Sequence, residues 1–134
     1  MLATAEAPAP TAYEQAGVSA ARRIPDSAND AIRALSAIPA DDPHRPALRA
    51  RVIEQWMPLA RQLALHYRDR GEPIDDLIQT ATLGLIKAVD RFEPARCPYF
   101  AGFAVPTILG ELRRYFRHLY LDAGRGEADR RGHV

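Results

Sequence analysis

The sequence has very little of what disulfide-stabilised, metal-binding and membrane proteins need. Its 134 residues include one cysteine, Cys97, which excludes an internal disulfide framework and a cluster of thiolate ligands. No apolar run is long enough to cross a bilayer, and the first residues lack the basic start and apolar stretch of a signal peptide. These absences predict a cytoplasmic protein that has no membrane partner.

Signatures of catalysis are also scarce. The sequence has no glycine-rich phosphate loop and no pair of metal ligands at a familiar spacing. His66 and His118 have no carboxylate or cysteine partner at a recognisable spacing, and Asp75 and Asp76 are better explained as a helix start. We therefore expect no catalytic residue, no metal, no cofactor and no small-molecule substrate, and the protein is not expected to be an enzyme.

What the sequence does contain is helical periodicity in its apolar residues. Proline and polar turn signals separate these periodic segments from one another. No alternating strand pattern, internal repeat or heptad array occurs. The fold class is therefore predicted to be all-α, a small helical bundle with short connections. Helices are predicted at residues 29–38, 46–68, 75–92 and 106–119.

The two ends of the chain differ in composition from its centre. Residues 1–27 are mostly alanine, proline and small polar residues, with too few large apolar groups to offset the entropy of ordering. We therefore predict a disordered tail over residues 1–27, a helical domain over residues 28–119 and a flexible tail over residues 120–134.

The predicted helix at 75–92 has more apolar surface than one core requires. Besides its core stripe it carries a second stripe at three- and four-residue intervals, in which Leu83 and Ile86 lie among acidic and amide side chains. An apolar centre with a polar rim is typical of a protein interface. Alternatively, the two aliphatic residues belong to the core of a helix that is buried on two sides. The other members of the second stripe are Asp76, Gln79, Thr80, Lys87 and Asp90.

The connection after this helix is rich in aromatic residues and arginine. Rings beside arginines can hold unstacked bases, and each stacked base contributes about 1–3 kcal/mol. One of the two phenylalanines is alternatively a core residue beneath the turn. We predict that Phe103 stacks a base and that Phe100 mainly supports the connection. The candidate residues are Arg96, Tyr99, Phe100 and Phe103.

The predicted helix after Pro106 has an apolar side and a basic side. Arg113 and Arg117 lie one turn apart, so they can follow a nucleic-acid backbone together, and Arg114 adds a third positive charge. A basic helix face that is simply solvated is the commoner meaning of three arginines.

Taken together, residues 49–118 resemble a known family. The run DDLIQTATLGLIKAVDRFEPAR, followed by FAGFAVPTILGELRRYFR, is similar to region 2 of bacterial RNA polymerase sigma factors of the sigma-70 family. The resemblance is greatest to alternative sigma factors of the stress-response and sporulation type. It implies a role in transcription initiation, in which the chain binds core RNA polymerase and recognises and melts the promoter minus-ten element.

The resemblance also implies site residues. Polymerase binding, on the clamp helices of the largest catalytic subunit, would fall on the second stripe and its neighbour, at Asp76, Gln79, Thr80, Thr82, Leu83, Ile86 and Asp90. Capture of flipped bases, chiefly of the non-template strand of promoter DNA, would fall on Arg96, Tyr99, Phe100 and Phe103. Reading or positioning of the same element would fall on Thr107, Gly110, Arg113, Arg114 and Arg117.

Three features depart from the family pattern. Cys97 stands where glycine is usual, Ala101 and Gly102 stand where a Ser/Thr pair is usual, and no helix-turn-helix follows residue 119. The sequence is therefore expected to be a fragment, a truncated product or a one-domain relative. The alternative function is a regulatory module that binds polymerase or an anti-sigma factor without promoter activity.

Overall fold

The computed structural model describes the backbone of residues 12–131 and the side chains of residues 12–121, except those at positions 13, 14, 16 and 18. Across these residues the chain forms five α-helices and no strand. The prediction of an all-α fold is therefore confirmed. In chain order the helices are α1 (Ala12–Ala21), α2 (Asp26–Ala37), α3 (Arg45–Leu65), α4 (Ile74–Arg91) and α5 (Phe100–Arg131).

Helices α3, α4 and α5 build the main core, with α4 packed against both of the others. Helix α4 follows Pro73 and has Asp75 and Asp76 in its first turn, where negative charge favours a helix start. Its inner face is fully buried, and Gly84 lies on that face. A Cβ atom at Gly84 would lie 2.8 Å from the Cα atom of Ile108 on α5. The missing side chain therefore allows the two helices to approach closely.

Helix α5 begins at Phe100, six residues before the start that the sequence predicts. Pro106 lies inside the helix, where its ring removes one backbone hydrogen bond that Gly102 would otherwise accept. Packing of the first turn overrides this cost, since Phe100 and Ala104 are fully buried. The aromatic connection is consequently irregular only as far as Tyr99.

Parts of both segments predicted as tails, residues 12–27 and 120–131, lie within the described backbone. Helix α1 packs on α3 and α5, because Gly17 fits against Val105 and Leu63, where a Cβ would approach within 2.8 and 3.3 Å. Small residues at a close contact thus replace the large apolar groups that the sequence lacks. Helix α5 continues to Arg131, with no proline after Pro106 to end it. Residues 1–11 and 132–134 of the predicted tails lie outside the described residues.

Candidate partner and nucleic-acid surfaces

Helix α4 presents a solvent-facing surface opposite its buried side. We call it the α4 outer face, and it contains one charged residue, Asp76. Leu83 is 57% exposed at its centre, whereas Ile86 is half-buried at its edge. Leu83 is therefore not a core residue, and Ile86 is only partly accessible to solvent. The members of the α4 outer face are Asp76, Gln79, Thr80, Leu83 and Ile86.

Thr82 lies apart from this face. Its hydroxyl donates to the carbonyl of Ile78 at 2.7 Å and lies 3.9 Å from Sδ of Met57 on α3. The side chain is therefore directed toward α3. The structure does not bring Thr82 together with the other residues that the sequence assigns to polymerase binding.

Ion pairs connect α4 to α3 on one side and to α5 on the other. Arg49 of α3 donates to Asp90 through Nε at 2.7 Å and Nη2 at 2.9 Å, and this hydrogen bonding lowers the pKa of the Asp90 carboxyl. On the other flank, Nζ of Lys87 donates to Oε1 of Glu111 on α5 at 2.6 Å. The charges of Asp90 and Lys87 are therefore compensated within the protein. Asp90, although exposed, already has a partner.

The three rings at the start of α5 have different environments. Phe100 is buried, with its ring centroid 4.7 Å from that of Trp56 and 5.3 Å from that of Phe92. Phe103 is half-buried, and its ring lies 6.1 Å from Phe92. Tyr99 is 70% exposed. Phe100 therefore cannot contact a base directly in this conformation, and Tyr99 is the ring most accessible to a ligand.

Arg96 lies beside these rings on the solvent side. It pairs with Glu93 at 2.9 Å, and its side chain is 84% exposed. An ion pair that is so fully hydrated contributes little stability, so it does not hold the guanidinium in place. Arg96 can therefore exchange its partner for another anion.

Helix α5 carries a basic surface formed by Arg113, Arg114 and Arg117, which we call the α5 outer face. Arg113, Arg114 and Arg117 are exposed, and no ion pair to them occurs within the described side chains. Gly110 lies three residues before Arg113, and a Cβ atom there would meet nothing within 4 Å. Thr107 is half-buried, and its hydroxyl donates to the carbonyl of Phe103 at 2.9 Å. Of the five residues that the sequence assigns to DNA binding on this helix, four are therefore exposed. The fifth, Thr107, is half-buried, and its hydroxyl already has a hydrogen-bond acceptor.

Two cavities border α5, and sequence reasoning predicted neither. One cavity, of about 650 Å³, is lined by Arg113 and Arg117 of α5 together with Tyr67 and Arg70. The Arg70 guanidinium lies 5.2 Å from the Tyr67 ring centroid, a cation–π distance. Arg70 follows the end of α3 and is distant in sequence from the α5 arginines, so only the tertiary fold reveals this arrangement.

The other cavity, of about 1120 Å³, lies between α2 and the first turns of α5, and Asn29 and Tyr99 are among its lining residues. Two side chains of α2 bond the backbone beside Tyr99. Arg33 donates to the carbonyl of Pro98 at 2.7 Å, and the Phe100 N–H donates to Oδ1 of Asn29 at 3.1 Å. These partners are 65 and 71 residues apart. No local sequence signal could have identified them.

The described part of the chain contains no group of three residues that could hold a metal ion. Its helices also include none with the length and apolar character of a membrane span.

Comparison with known proteins gives one consistent result. Residues 52–120 match the sigma-70 region 2 family. The RNA polymerase sigma-F factor of Kitasatospora aureofaciens is 49% identical over 70 residues, which are 52% of this chain and 24% of that protein. SigF of Mycobacterium tuberculosis strain H37Rv is 45% identical over 85 residues, which are 63% of this chain and 33% of that protein. The sigma-G factor of Clostridium acetobutylicum is 39% identical over 69 residues, which are 52% of this chain and 27% of that protein.

The chain thus spans about a quarter to a third of the length of these relatives. No solved structure matches it.

Proposed function

Because the chain belongs to the sigma-70 region 2 family, we propose that it binds core RNA polymerase and recognises and melts the promoter minus-ten element in transcription initiation. The observation that carries the proposal is the juxtaposition of two chemically different surfaces on adjacent helices. The α4 outer face has an aliphatic centre with polar side chains around it, and the α5 outer face is basic. The exposed ring of Tyr99 precedes the basic helix. Such a protein would act in the cytoplasm with its polymerase.

The α4 outer face is the proposed polymerase-binding surface. Exposed Leu83 supplies an apolar centre, and Gln79 and Asp76 supply a polar rim, an arrangement that suits a protein partner. The proposed partner is the pair of clamp helices of the largest polymerase subunit. Thr82 takes no direct part, because it is directed toward α3.

The α5 outer face and Tyr99 form the proposed DNA-binding surface. The arginines neutralise phosphates, which gives affinity without sequence information. Tyr99 stacks on an unpaired base, and half-buried Phe103 is a second candidate ring. Stacking requires bases that are not paired, and the family resemblance favours the non-template strand of the minus-ten element as the preferred strand.

The polymerase surface can be tested with a charge-introducing variant. Gln79→Arg combined with Leu83→Arg places two cations on an exposed face, so helicity and thermal stability should stay near those of the wild type. Binding to purified core polymerase, measured by co-elution in gel filtration, should be lost. Gln55→Arg, at an exposed position on α3, is the control and should bind normally. Co-elution of the double variant at wild-type levels would reject this surface.

The DNA surface can be tested by a salt titration of promoter duplex, random duplex and minus-ten non-template strand. The isolated chain should bind both duplexes weakly and without preference, in the non-specific range of roughly 10⁻⁴–10⁻⁶ M. Addition of core polymerase should produce a preference for the minus-ten strand. If polymerase binds but no strand preference follows, the chain is a regulatory module instead, and binding to an anti-sigma factor becomes the function to measure. Tight, sequence-specific duplex binding by the isolated chain would indicate a conventional DNA-binding regulator.

A further inference from the structure

We propose that α2 is a positioning element that holds Tyr99 for base stacking. The proposal rests on the proposed DNA-binding function and extends it to a helix outside the matched residues 52–120. Arg33 and Asn29 of α2 hold the peptide groups on the two sides of Tyr99, through the Pro98 carbonyl at 2.7 Å and the Phe100 N–H at 3.1 Å.

The bond from Phe100 has a specific structural role. Phe100 is the first residue of α5, and the first N–H groups of a helix have no acceptor within the helix. A capping side chain usually comes from the residue just before the helix. Here Asn29 supplies the acceptor from another helix, so α2 defines where α5 begins.

The bond to Pro98 fixes the preceding peptide group. A guanidinium donates a charge-assisted hydrogen bond, which is stronger than a neutral one. Between the two bonds, Sγ of Cys97 lies 3.2 Å from the carbonyl oxygen of Tyr99 and donates to it. The backbone at positions 98, 99 and 100 is therefore held at three points, while the Tyr99 side chain remains in solvent.

Helix α2 packs against the core, which a positioning element requires. Ile32 and Leu35 are buried in the core. The indole Nε1 of Trp56 on α3 donates to the carbonyl of Ala28 at 3.2 Å. The bonds to residues 98–100 thus connect the Tyr99 backbone to the main bundle through α2.

Amide hydrogen exchange tests the restraint without DNA. Asn29→Ala should increase the exchange rate of the Phe100 amide, because the amide loses its acceptor, and Asn29→Asp should restore protection because it keeps a side-chain oxygen. Asp30→Ala, at the neighbouring exposed position on α2, is the matched control and should leave the amide protected. An unchanged exchange rate in Asn29→Ala would overturn the proposal whatever the DNA measurements show.

Strand binding tests whether the restraint serves Tyr99. With core polymerase present, Asn29→Ala and Arg33→Ala should each weaken binding of a minus-ten non-template oligonucleotide by about threefold to tenfold, the range of one lost hydrogen bond. In a Tyr99→Ala background the same changes should have no further effect, because residues that act through one another are not additive. Losses that add in full to that of Tyr99→Ala would overturn the positioning role.

Arg33 could instead contact a phosphate directly, and salt dependence separates these roles. A lost phosphate contact would reduce the slope of log K against log salt by about 0.7 for a single strand. Positioning predicts an unchanged slope, so a reduced slope in Arg33→Ala would overturn that residue's assignment. If the Phe100 amide exchanges faster in Asn29→Ala but the wild type with polymerase does not bind the oligonucleotide, the restraint by α2 is real, whereas the proposed DNA-binding function and the role of α2 in it are both rejected.

Discussion

The outer faces of α4 and α5 differ in how their charges are compensated. The two charged residues that border the α4 outer face, Lys87 and Asp90, pair with neighbouring helices, which leaves Asp76 as its one charged member. On the α5 outer face Arg113, Arg114 and Arg117 are exposed, and no partner for them occurs among the described side chains. A charge that is already paired costs less to bury under a protein partner than an isolated charge does. A face with uncompensated cations attracts a polyanion.

The two faces share one support. They belong to helices that touch at Gly84 and Ile108 and that Lys87 and Glu111 connect at the edge. The difference between them is thus a property of their surfaces rather than of separate folding units. Four changes would either remove that difference or make it easier to measure.

The largest effect is expected at Gly84. In Gly84→Ala the new methyl group would lie 2.8 Å from the Cα of Ile108, and overpacking of this kind costs about 1–3 kcal/mol. A helix gains about 1 kcal/mol when alanine replaces glycine, which offsets part of the cost. Because the contact is with backbone, we expect a net loss of stability in urea unfolding, and both faces should lose binding together. A variant as stable as the wild type would contradict the close contact.

The next effect concerns the α5 outer face alone. Arg113→Ala with Arg117→Ala removes two cations, so the slope of log K against log salt for single-stranded DNA should fall by about 1.4, or 0.7 for each phosphate contact. Polymerase binding should not change. Arg51→Ala with Arg61→Ala, at two exposed positions of α3, is the control of equal charge. An equal fall in slope for the control would show that net charge, rather than this face, attracts DNA.

A smaller effect of opposite sign is expected at Gly110. Because a Cβ there meets nothing within 4 Å, Gly110→Ala should stabilise the protein by about 0.5–1 kcal/mol through reduced backbone freedom in the unfolded chain. If DNA approaches the helix closely at this position, the same variant should bind the minus-ten strand more weakly although it is more stable. Thermal unfolding and strand binding on one preparation test both expectations. Strand binding equal to that of the wild type would remove Gly110 from the DNA surface.

The smallest effect is expected for the exposed pair of Arg49 and Asp90. Hydrogen bonding to Arg49 lowers the folded-state pKa of Asp90 below its ordinary value of 3.8. The pair therefore stabilises the fold above pH 3.8, and this contribution is lost as the pH falls through the folded-state pKa. Asp90→Asn should cost about 0.2–1 kcal/mol at neutral pH, as exposed pairs do, and the two unfolding curves should converge below that pH. In an Arg49→Ala background the difference should be smaller, because only the weaker attraction of Arg45 and Arg91 then lowers the pKa of Asp90.

The main helices could be predicted from the sequence because apolar periodicity and proline mark them directly. The start of α5 could not, since Pro106 looks like a helix start and the actual start depends on burial of Phe100 and on an acceptor from Asn29. Helix α1 was missed for a related reason. It packs through glycine and alanine at a close contact, and small residues give no periodic signal of the usual kind.

The candidate surfaces were predictable in part. Spacing alone grouped the α4 outer face and the α5 arginines, because residues three and four apart share one side of a helix. Spacing could not show that Thr82 is directed toward α3, or that Tyr99 is more exposed than Phe103. These facts depend on which neighbour packs against each residue, and that is decided by tertiary contacts.

The contact at Gly84 also has a genetic consequence. A larger residue there would meet the Cα atom of Ile108, and every amino acid has that atom. No replacement at position 108 can therefore make room, so second-site suppressors of a Gly84 substitution should not arise at that position. Glu111 approaches the same point less closely, with its Cβ and Cγ atoms at 3.4 and 3.3 Å. A smaller residue at position 111 would therefore remove only part of the steric clash. Reversion of position 84 to glycine is the change that would restore full stability.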